Sequence, residues 1–387
     1  MKIAMDIRRA GDYGIGTYIR NIVRQLARLD SKNSYLLIGR REHFERFDAL
    51  PGNFQLLEYA ADPGSFQTHL HLPFVLRRHR IDLLHMPWFY APALVPMRMV
   101  ITVHDLTDLI HPPRPGPQVA QAARPWFAQR ALRKASRIIT VSQSTAREIA
   151  RVFAISDSKI SVLYNAVDEH FVSEPLPEDA SRIQERLAVN YPYVLYAGRV
   201  GPQKNLARLI EAFAVAKAEL RSLPEFAALK LVMIGDDLGQ HADLRRAVIR
   251  SRLREDVRFL GFVPLPVLRV FYAHAKAFLF PSLYEGFGLP PLEAMAHGAP
   301  VVASNVSSLP EILGDAALLV NPENVFDIAR GIQQVLTDAS LRRVLIERGY
   351  QQVRRYSWQR TARQLLEIYE GTVQKKENRS ASEAPRP

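Results

Sequence analysis

Short apolar runs recur along the chain, each bounded by Gly, Pro, Asn or Asp, and between them lie stretches whose apolar residues fall at helical spacing. The runs at residues 2–7, 35–39, 54–57, 83–86, 100–103, 137–141 and 160–163 read as strands, being too short for helices. Helices are expected at 17–29, where Ile19, Ile22, Val23, Leu26 and Leu29 share a face, and at 72–79, 118–135 and 145–153. From about residue 191 the rhythm restarts. Strands at 193–197, 231–234, 257–260, 277–280, 301–303 and 317–320 alternate with helices at 205–220, 242–253, 266–273, 292–297, 325–338 and 339–350. A last amphipathic helix is expected at 358–370.

Strands alternating with helices, twice over, predict an α/β protein built of two doubly wound parallel sheets. The expected division is a Rossmann-like domain at 1–170, a polar linker at 171–190, a second Rossmann-like domain at 191–355, and a tail at 373–387 whose Lys, Glu, Ser and Pro read as disordered. Doubly wound sheets bind ligands at the carboxyl ends of their strands, where the strand order reverses. The loops that bear on function are therefore those at 8–16, 104–116, 198–204, 235–240, 261–264 and 281–290.

Composition narrows the possibilities. The 387 residues suffice for two domains of about 150 each. No cysteine is present, which excludes disulfides, zinc fingers and thiol nucleophiles and suits a reducing cytoplasm. No apolar run approaches the roughly 18 residues of a membrane span, and the first residues enter a strand with no signal-peptide pattern. The expected location is the cytoplasm, with a peripheral place on the inner face of the membrane left open. The formal net charge is +12, and residues 1–172 hold 23 Lys+Arg against 15 Asp+Glu. Nucleic acid, an anionic membrane surface and anionic substrates are the partners such an excess favours. Arg124, Arg130, Arg133, Lys134 and Arg137 lie on or beside the helix at 118–135, with Trp126 and Phe127 near them. That run reads either as a membrane-surface face or as a plain solvated one.

The candidate chemistry lies in four loops. Residues 284–300 join a strand to a helix through a loop holding Gly286, Phe287, Gly288 and Leu289. Pro290 and Pro291 suit the first turn of that helix, and Gly298 its end. Glu285 and Glu293 bracket the helix start, where backbone N–H groups favour anions and hydroxyl oxygens and a carboxylate accepts hydrogen bonds from sugar hydroxyls. In the loop at 198–205, Arg199 and Lys204 flank a glycine turn. Arg binds phosphate bidentately and Lys supplies a compact charge; a solvated surface pair is the alternative. No Walker loop is present. The first loop carries Gly11, Gly14 and Gly16 before Thr17, but its spacing departs from the dinucleotide fingerprint and Asp30 ends a helix, which weakens a dehydrogenase reading. It is either a structural turn or a close approach for an acceptor or a phosphate. His104 and Asp105 end a strand, where a catalytic or ligand-orienting pair belongs. No D-x-D and no His/Asp/Glu cluster at metal spacing occurs, so no required metal is expected.

With these pieces in place the chain resembles the GT-B glycosyltransferases of the retaining family 4 type. Glu285-x7-Glu293 within EGFGLPPLEAMAHGAPVVAS carries most of the resemblance. AGRVGPQKN (197–205), IGD (234–236), LGFVP (260–264), NAVD (165–168) and YSWQRTARQLLEIY (356–369) follow in the family's order. Ala166 stands where the family commonly has Gly. The resemblance implies two Rossmann-like domains facing a cleft, with the C-terminal helix at 356–372 packing back on the first. It implies that Arg199 and Lys204 hold the diphosphate of a nucleotide-sugar donor, backbone around Phe262 and Val263 contacts the base, and Glu293 binds the ribose. Glu285 with the N–H groups of Gly286 to Leu289 would position the sugar, His104 would approach it from the first domain, and Gly14 to Thr17 would line the acceptor or phosphate side. The stretches 104–113 and 13–21 resemble bacterial mannosyltransferases of O-antigen or exopolysaccharide assembly. They imply GDP-mannose or another NDP-sugar as donor, a saccharide or polyprenyl-linked acceptor, no separate cofactor, and no nucleic-acid partner.

Overall fold

The computed structural model describes the chain except residues 48, 64, 90, 93–94, 111–117, 173–181, 184, 236–239 and 383–387, and except the side chains at 66, 110, 118–124, 170 and 375–382. Parts of the expected features at 104–113, 171–190, 234–236, 235–240 and 373–387, and the Arg124 side chain, therefore lie outside the described residues. The chain divides into two compact units, Met1–Asn165 with Ser357–Pro387, and Ala166–Tyr356.

The first unit holds β1 (Lys2–Asp6), β2 (Ser34–Gly39), β3 (Phe54–Glu58), β4 (Leu83–Met86), β5 (Arg98–Val103), β6 (Arg137–Thr140) and β7 (Ile160–Val162), paired in parallel in the order β3-β2-β1-β4-β5-β6-β7. Helices cover both faces, which is why these strands read as unbroken apolar runs rather than alternating ones. Ala4, Leu36, Leu84, Ile101 and Ile138 join one buried cluster with Leu72 and Leu76 of the helix Phe66–Arg78, Leu132 of Gln118–Lys134, and Ile149 and Phe153 of Gln143–Phe153.

The opposite face meets the helices Gly14–Leu29 and Trp358–Ser382 through a buried polar chain. The Tyr18 hydroxyl lies 3.2 Å from Thr102 Oγ1, which lies 2.8 Å from His85 Nε2, and His85 Nδ1 lies 2.5 Å from the Tyr369 hydroxyl. All four residues are fully buried. Burial first, and the neighbouring His104 second, push the His85 pKa down to about 3, so the ring is neutral and offers one donor and one acceptor to two hydroxyls. Thr361 Oγ1 adds a bond to the Tyr164 carbonyl at 2.6 Å.

The last helix continues to Ser382, past the tail boundary expected at 373. Lys, Glu and Gln extend an anchored helix at little cost even where no apolar stripe marks it. The first helix likewise begins at Gly14, three residues before the apolar periodicity becomes visible.

The second unit holds β8 (Tyr193–Ala197), β9 (Lys230–Ile234), β10 (Val257–Gly261), β11 (Ala277–Phe280), β12 (Val301–Ser304) and β13 (Ala317–Val320), all parallel, in the order β10-β9-β8-β11-β12-β13. The order reverses between β8 and β11, so the loops that follow these two strands diverge and leave a crevice at their carboxyl ends. The chain passes into the second unit between Asn165 and Ala166, before the linker expected at 171–190. Asp168 and Phe171 are buried, and Phe171 packs edge-on against Tyr272 and His297 in the second unit. One aromatic in a charged segment has no period to betray it. A short helix after β12, Leu309–Leu313, was also unforeseen; five residues are too few for a helical pattern.

Replacing Tyr369 by Phe leaves a His85 nitrogen buried without its hydroxyl. The expected loss is about 1–3 kcal/mol, read as a lower urea midpoint with an unchanged m-value. An unchanged midpoint would show that the buried chain contributes nothing.

Candidate active site

In the second unit, the loop after β8 is sewn to the loop after β11. Asn205, in the left-handed region at φ 61°, donates through Nδ2 to the Pro281 carbonyl at 3.0 Å and the Pro322 carbonyl at 2.7 Å. The Leu283 N–H donates to the Gln203 carbonyl at 2.7 Å. These bonds bring Lys204 Nζ to 2.5 Å from Glu285 Oε1, although the two residues stand 81 positions apart. Their side chains are 16% and 12% exposed, so Lys204 is not solvated, whereas Arg199, the other cation of the pair that the sequence left open, is exposed. The Phe280 ring lies under the ammonium group at 5.3 Å. Arg199 is exposed in the same loop, and its carbonyl is fixed by the Tyr196 hydroxyl at 2.9 Å.

The glycine loop is held from behind. Ser307 Oγ donates to the Glu285 carbonyl at 2.7 Å and accepts the Glu285 N–H at 3.1 Å, while Ser308 Oγ reaches the carbonyls of Glu285 at 2.9 Å and Phe287 at 3.2 Å. Sequence reading missed both serines, because a polar pair after a strand carries no distinguishing spacing. Gly288 has φ +98°, and a Cβ there would lie 2.6 Å from Leu309 Cδ2, so glycine is required on both counts. The helix Leu289–Ala296 starts directly after it. Pro290 and Pro291 carry no N–H, which leaves Gly288 and Leu289 as the backbone donors of this helix end. Phe262, just past β10, is 67% exposed, while Val263 beside it is buried.

In the first unit, Gly14 opens its helix with space around its Cα, whereas a Cβ on Gly16 would lie 2.6 Å from the Ala10 carbonyl oxygen. Thr17 turns back locally, its N–H and hydroxyl both reaching the Tyr13 carbonyl. Asp30 accepts bonds from the Tyr35 hydroxyl and from Asn33, so it anchors a turn and completes no dinucleotide fingerprint. His104 and Asp105, adjacent at the strand end, turn to different partners. Asp105 Oδ1 accepts the Thr107 N–H at 2.8 Å at the start of the short helix Thr107–Ile110. His104 instead donates to the Pro87 carbonyl and packs edge-on against Tyr18 at 4.9 Å. Burial first, then the Arg9 charge, push its pKa down to about 3, and its Nε2 has no hydrogen-bond partner among the described residues. His104 is thus a neutral ring whose free nitrogen is an acceptor.

Glu293 is built differently from Glu285. The Tyr272 hydroxyl donates to its Oε2 at 3.0 Å, and His297 Nδ1, whose ring stacks on Tyr272 at 5.9 Å, bonds the Glu293 carbonyl. Burial raises the Glu293 pKa to about 7; the Tyr272 bond acts against the shift and the Asp168 charge adds to it. A carboxyl whose pKa is raised on folding binds its proton more tightly in the native state. The stability it contributes is therefore present below the unfolded value of 4.5 and is lost as pH rises toward 7. Glu293→Gln keeps the shape and removes the ionisation. The variant is expected to melt above the parent at pH 8, by on the order of 1–2 kcal/mol, with the difference vanishing near pH 5. Parallel melting curves across this range would contradict the assignment.

The family model described as Glycosyltransferase Family 4 matches residues 13–171, and the one described as Glycosyl transferases group 1 matches residues 177–352. O-antigen chain mannosyltransferase B of Escherichia coli is 34% identical over 296 residues, which are 76% of this chain and 75% of that protein. The serotype-specific mannosyltransferase WbdA of Escherichia coli is 31% identical over 294 residues, 75% of this chain but only 35% of that longer protein. Among solved structures, Anabaena Alr3699/HepE in complex with UDP and glucose superposes with a TM-score of 0.74 at 20% identity, covering 96% of this chain and 100% of that one. WaaG, a glycosyltransferase involved in lipopolysaccharide biosynthesis, superposes with a TM-score of 0.70 at 15% identity, covering 95% and 99%. The structural likenesses establish the fold as GT-B, and the sequence matches establish that this chain belongs to the group 1, family 4 glycosyltransferases.

Proposed function

We propose that the protein transfers mannose from GDP-mannose, with retention of configuration, to a saccharide or lipid-linked saccharide during surface polysaccharide synthesis. The observation that carries the chemistry is the Lys204–Glu285 pair, fixed at the point where the second sheet reverses its strand order. The preference for mannose rests on the 34% identity to an O-antigen mannosyltransferase.

Breaking a sugar–phosphate bond places negative charge on the departing diphosphate. An ammonium group has three donors, and Lys204 directs one of them at Glu285, which leaves two for phosphate oxygens. Arg199 supplies a bidentate fork beside it, and Gly288 and Leu289 add backbone donors. In this reading Glu285 holds sugar hydroxyls while its lysine partner meets the phosphate, so one ion pair addresses both sides of the bond that breaks. Glu293, nearer neutrality, shares its oxygens with ribose hydroxyls, and the exposed Phe262 lies beside the backbone assigned to the base. The leaving phosphate takes the acceptor proton as the acceptor attacks from the same face. No metal and no covalent carboxylate intermediate are needed for these steps.

Thermal shifts with GDP, UDP and their sugars test the donor. Larger stabilisation by GDP and turnover of GDP-mannose to an α-linked product are expected. Turnover with UDP-glucose alone, or a β-linked product, would overturn this reading.

Lys204→Ala is expected to lower kcat by about 10²–10³ while the protein remains folded by circular dichroism. Undiminished transfer by a folded Lys204→Ala variant would show that the Lys204–Glu285 pair does not carry the chemistry.

A further inference from the structure

No step of the proposed transfer uses the amino ends of the strands in the first sheet, yet three cations gather there. Arg98 opens β5, Arg137 opens β6, and Lys159 stands directly before Ile160, the first residue of β7. The parallel register sets Arg137 beside Val100 and Ile138 beside Ile160, so the three side chains leave adjacent strand starts. They line a cavity of about 170 Å³ whose wall also holds Gly371 and Thr372 of the last helix and contains no carboxylate. Arg137 donates to the Ser158 carbonyl, and Lys159 Nζ donates to the Arg133 carbonyl at 2.5 Å. The Arg98 side chain has no hydrogen-bond or ionic partner among the described residues. A carbonyl engages one donor without cancelling the charge, and most of the N–H groups on these side chains remain to be used. Burial pulls the Lys159 ammonium below the ordinary lysine pKa. Thr372 is 4% exposed, and its hydroxyl has no hydrogen-bond partner among the described residues, although buried hydroxyls are ordinarily paired.

We infer that this cavity binds a small phosphate, either inorganic phosphate or the phosphate monoester of a small molecule. Three positive charges without a carboxylate favour a dianion. Arg98 and Arg137 offer planar forks to phosphate oxygens, Lys159 adds a compact charge, and Thr372 Oγ1 adds a hydroxyl donor. Size and lining exclude larger anions. Pockets for drug-sized ligands run to about 300–1,000 Å³. No aromatic residue stands in this wall to stack on a base, and no Leu, Ile, Val or Met to receive an acyl chain. The sequence grouped Arg137 with the basic run on the preceding helix; the register joins it to Arg98 and Lys159 instead. Thr372 lies one turn past Tyr369, and Arg98 lies on the same strand as Thr102. A phosphate held by both therefore ties the last helix to the strand starts, next to the buried chain that Tyr369 and Thr102 share with His85. Every residue of the cavity belongs to the first unit, whereas Lys204 and Glu285 belong to the second, so the inference stands whichever donor the enzyme uses.

Calorimetric titration of inorganic phosphate into the full chain at constant ionic strength tests it. Saturable binding is expected that glycerol 3-phosphate displaces and that Lys204→Ala leaves in place. Arg98→Gln and Thr372→Val, made separately, should each weaken this binding about tenfold. Thr372→Val removes a hydroxyl that bonds nothing in the protein, so in the absence of phosphate it should melt no lower than the parent. Weaker binding in an equally stable chain is a result that a merely structural role for Thr372 does not give. The absence of saturable binding overturns the inference, as do Arg98→Gln and Thr372→Val chains that bind like the parent. Loss of the binding in Lys204→Ala assigns the phosphate to the transferase crevice, and short-chain phosphatidylglycerol that binds as tightly as glycerol 3-phosphate assigns the cavity to a lipid headgroup; each equally overturns it.

Discussion

The reversal of strand order between β8 and β11 is the constraint on which the site depends. A parallel sheet can change its winding direction only by sending two successive crossovers to opposite sides, and the loops that leave there cannot cover each other. Lys204 rides on one of these loops and Glu285 on the other. The Asn205 side-chain amide and the Leu283 N–H then close the distance that topology leaves open. The ion pair is thus a product of the fold and adds little to holding it together. Both partners keep some contact with solvent, so their mutual attraction is worth far less than that of a fully enclosed pair.

The two carboxylates of one segment meet opposite environments. Glu285 faces a lysine in the crevice. Glu293, eight residues on, is desolvated by burial and lies near Asp168, and its charge is disfavoured even though the Tyr272 hydroxyl donates to it. Sequence spacing made them look like a matched pair bracketing a helix start. The difference arises from residues far away in the chain, since Tyr272 and Asp168 come from other segments of the second unit. His104 shows the same effect in the first unit, where burial and Arg9 keep neutral a ring that stands next to an aspartate in sequence.

Most strands were legible because parallel sheets covered on both faces demand unbroken apolar runs, and such runs are conspicuous. The loops after β8 and β11 were legible through their glycines and charges. Other features left no mark in the pattern. His85 sits inside an apolar run as if it were one more buried residue, and only its neighbours Thr102 and Tyr369 reveal a polar chain. Ser307 and Ser308 hold the glycine loop through hydroxyl-to-carbonyl bonds, which any small polar pair could make. Phe171 lies in a stretch whose charges read as a linker, although its ring is packed on Tyr272. The last helix ran past its expected end because helix propensity, unlike burial, writes no periodic signal.

The buried hydroxyl–imidazole chain has a consequence for synthesis. Tyr369 closes it from the last helix, while its other members come from the first hundred or so residues, and the whole second unit is made in between. On the ribosome the earlier unit must therefore wait, with one face of its sheet uncovered, until the later and uninterrupted unit has left the exit tunnel. Domains made in sequence ordinarily fold in the order they emerge. Here the second unit is free to finish first, and the nascent first unit is the one in need of a chaperone's shelter.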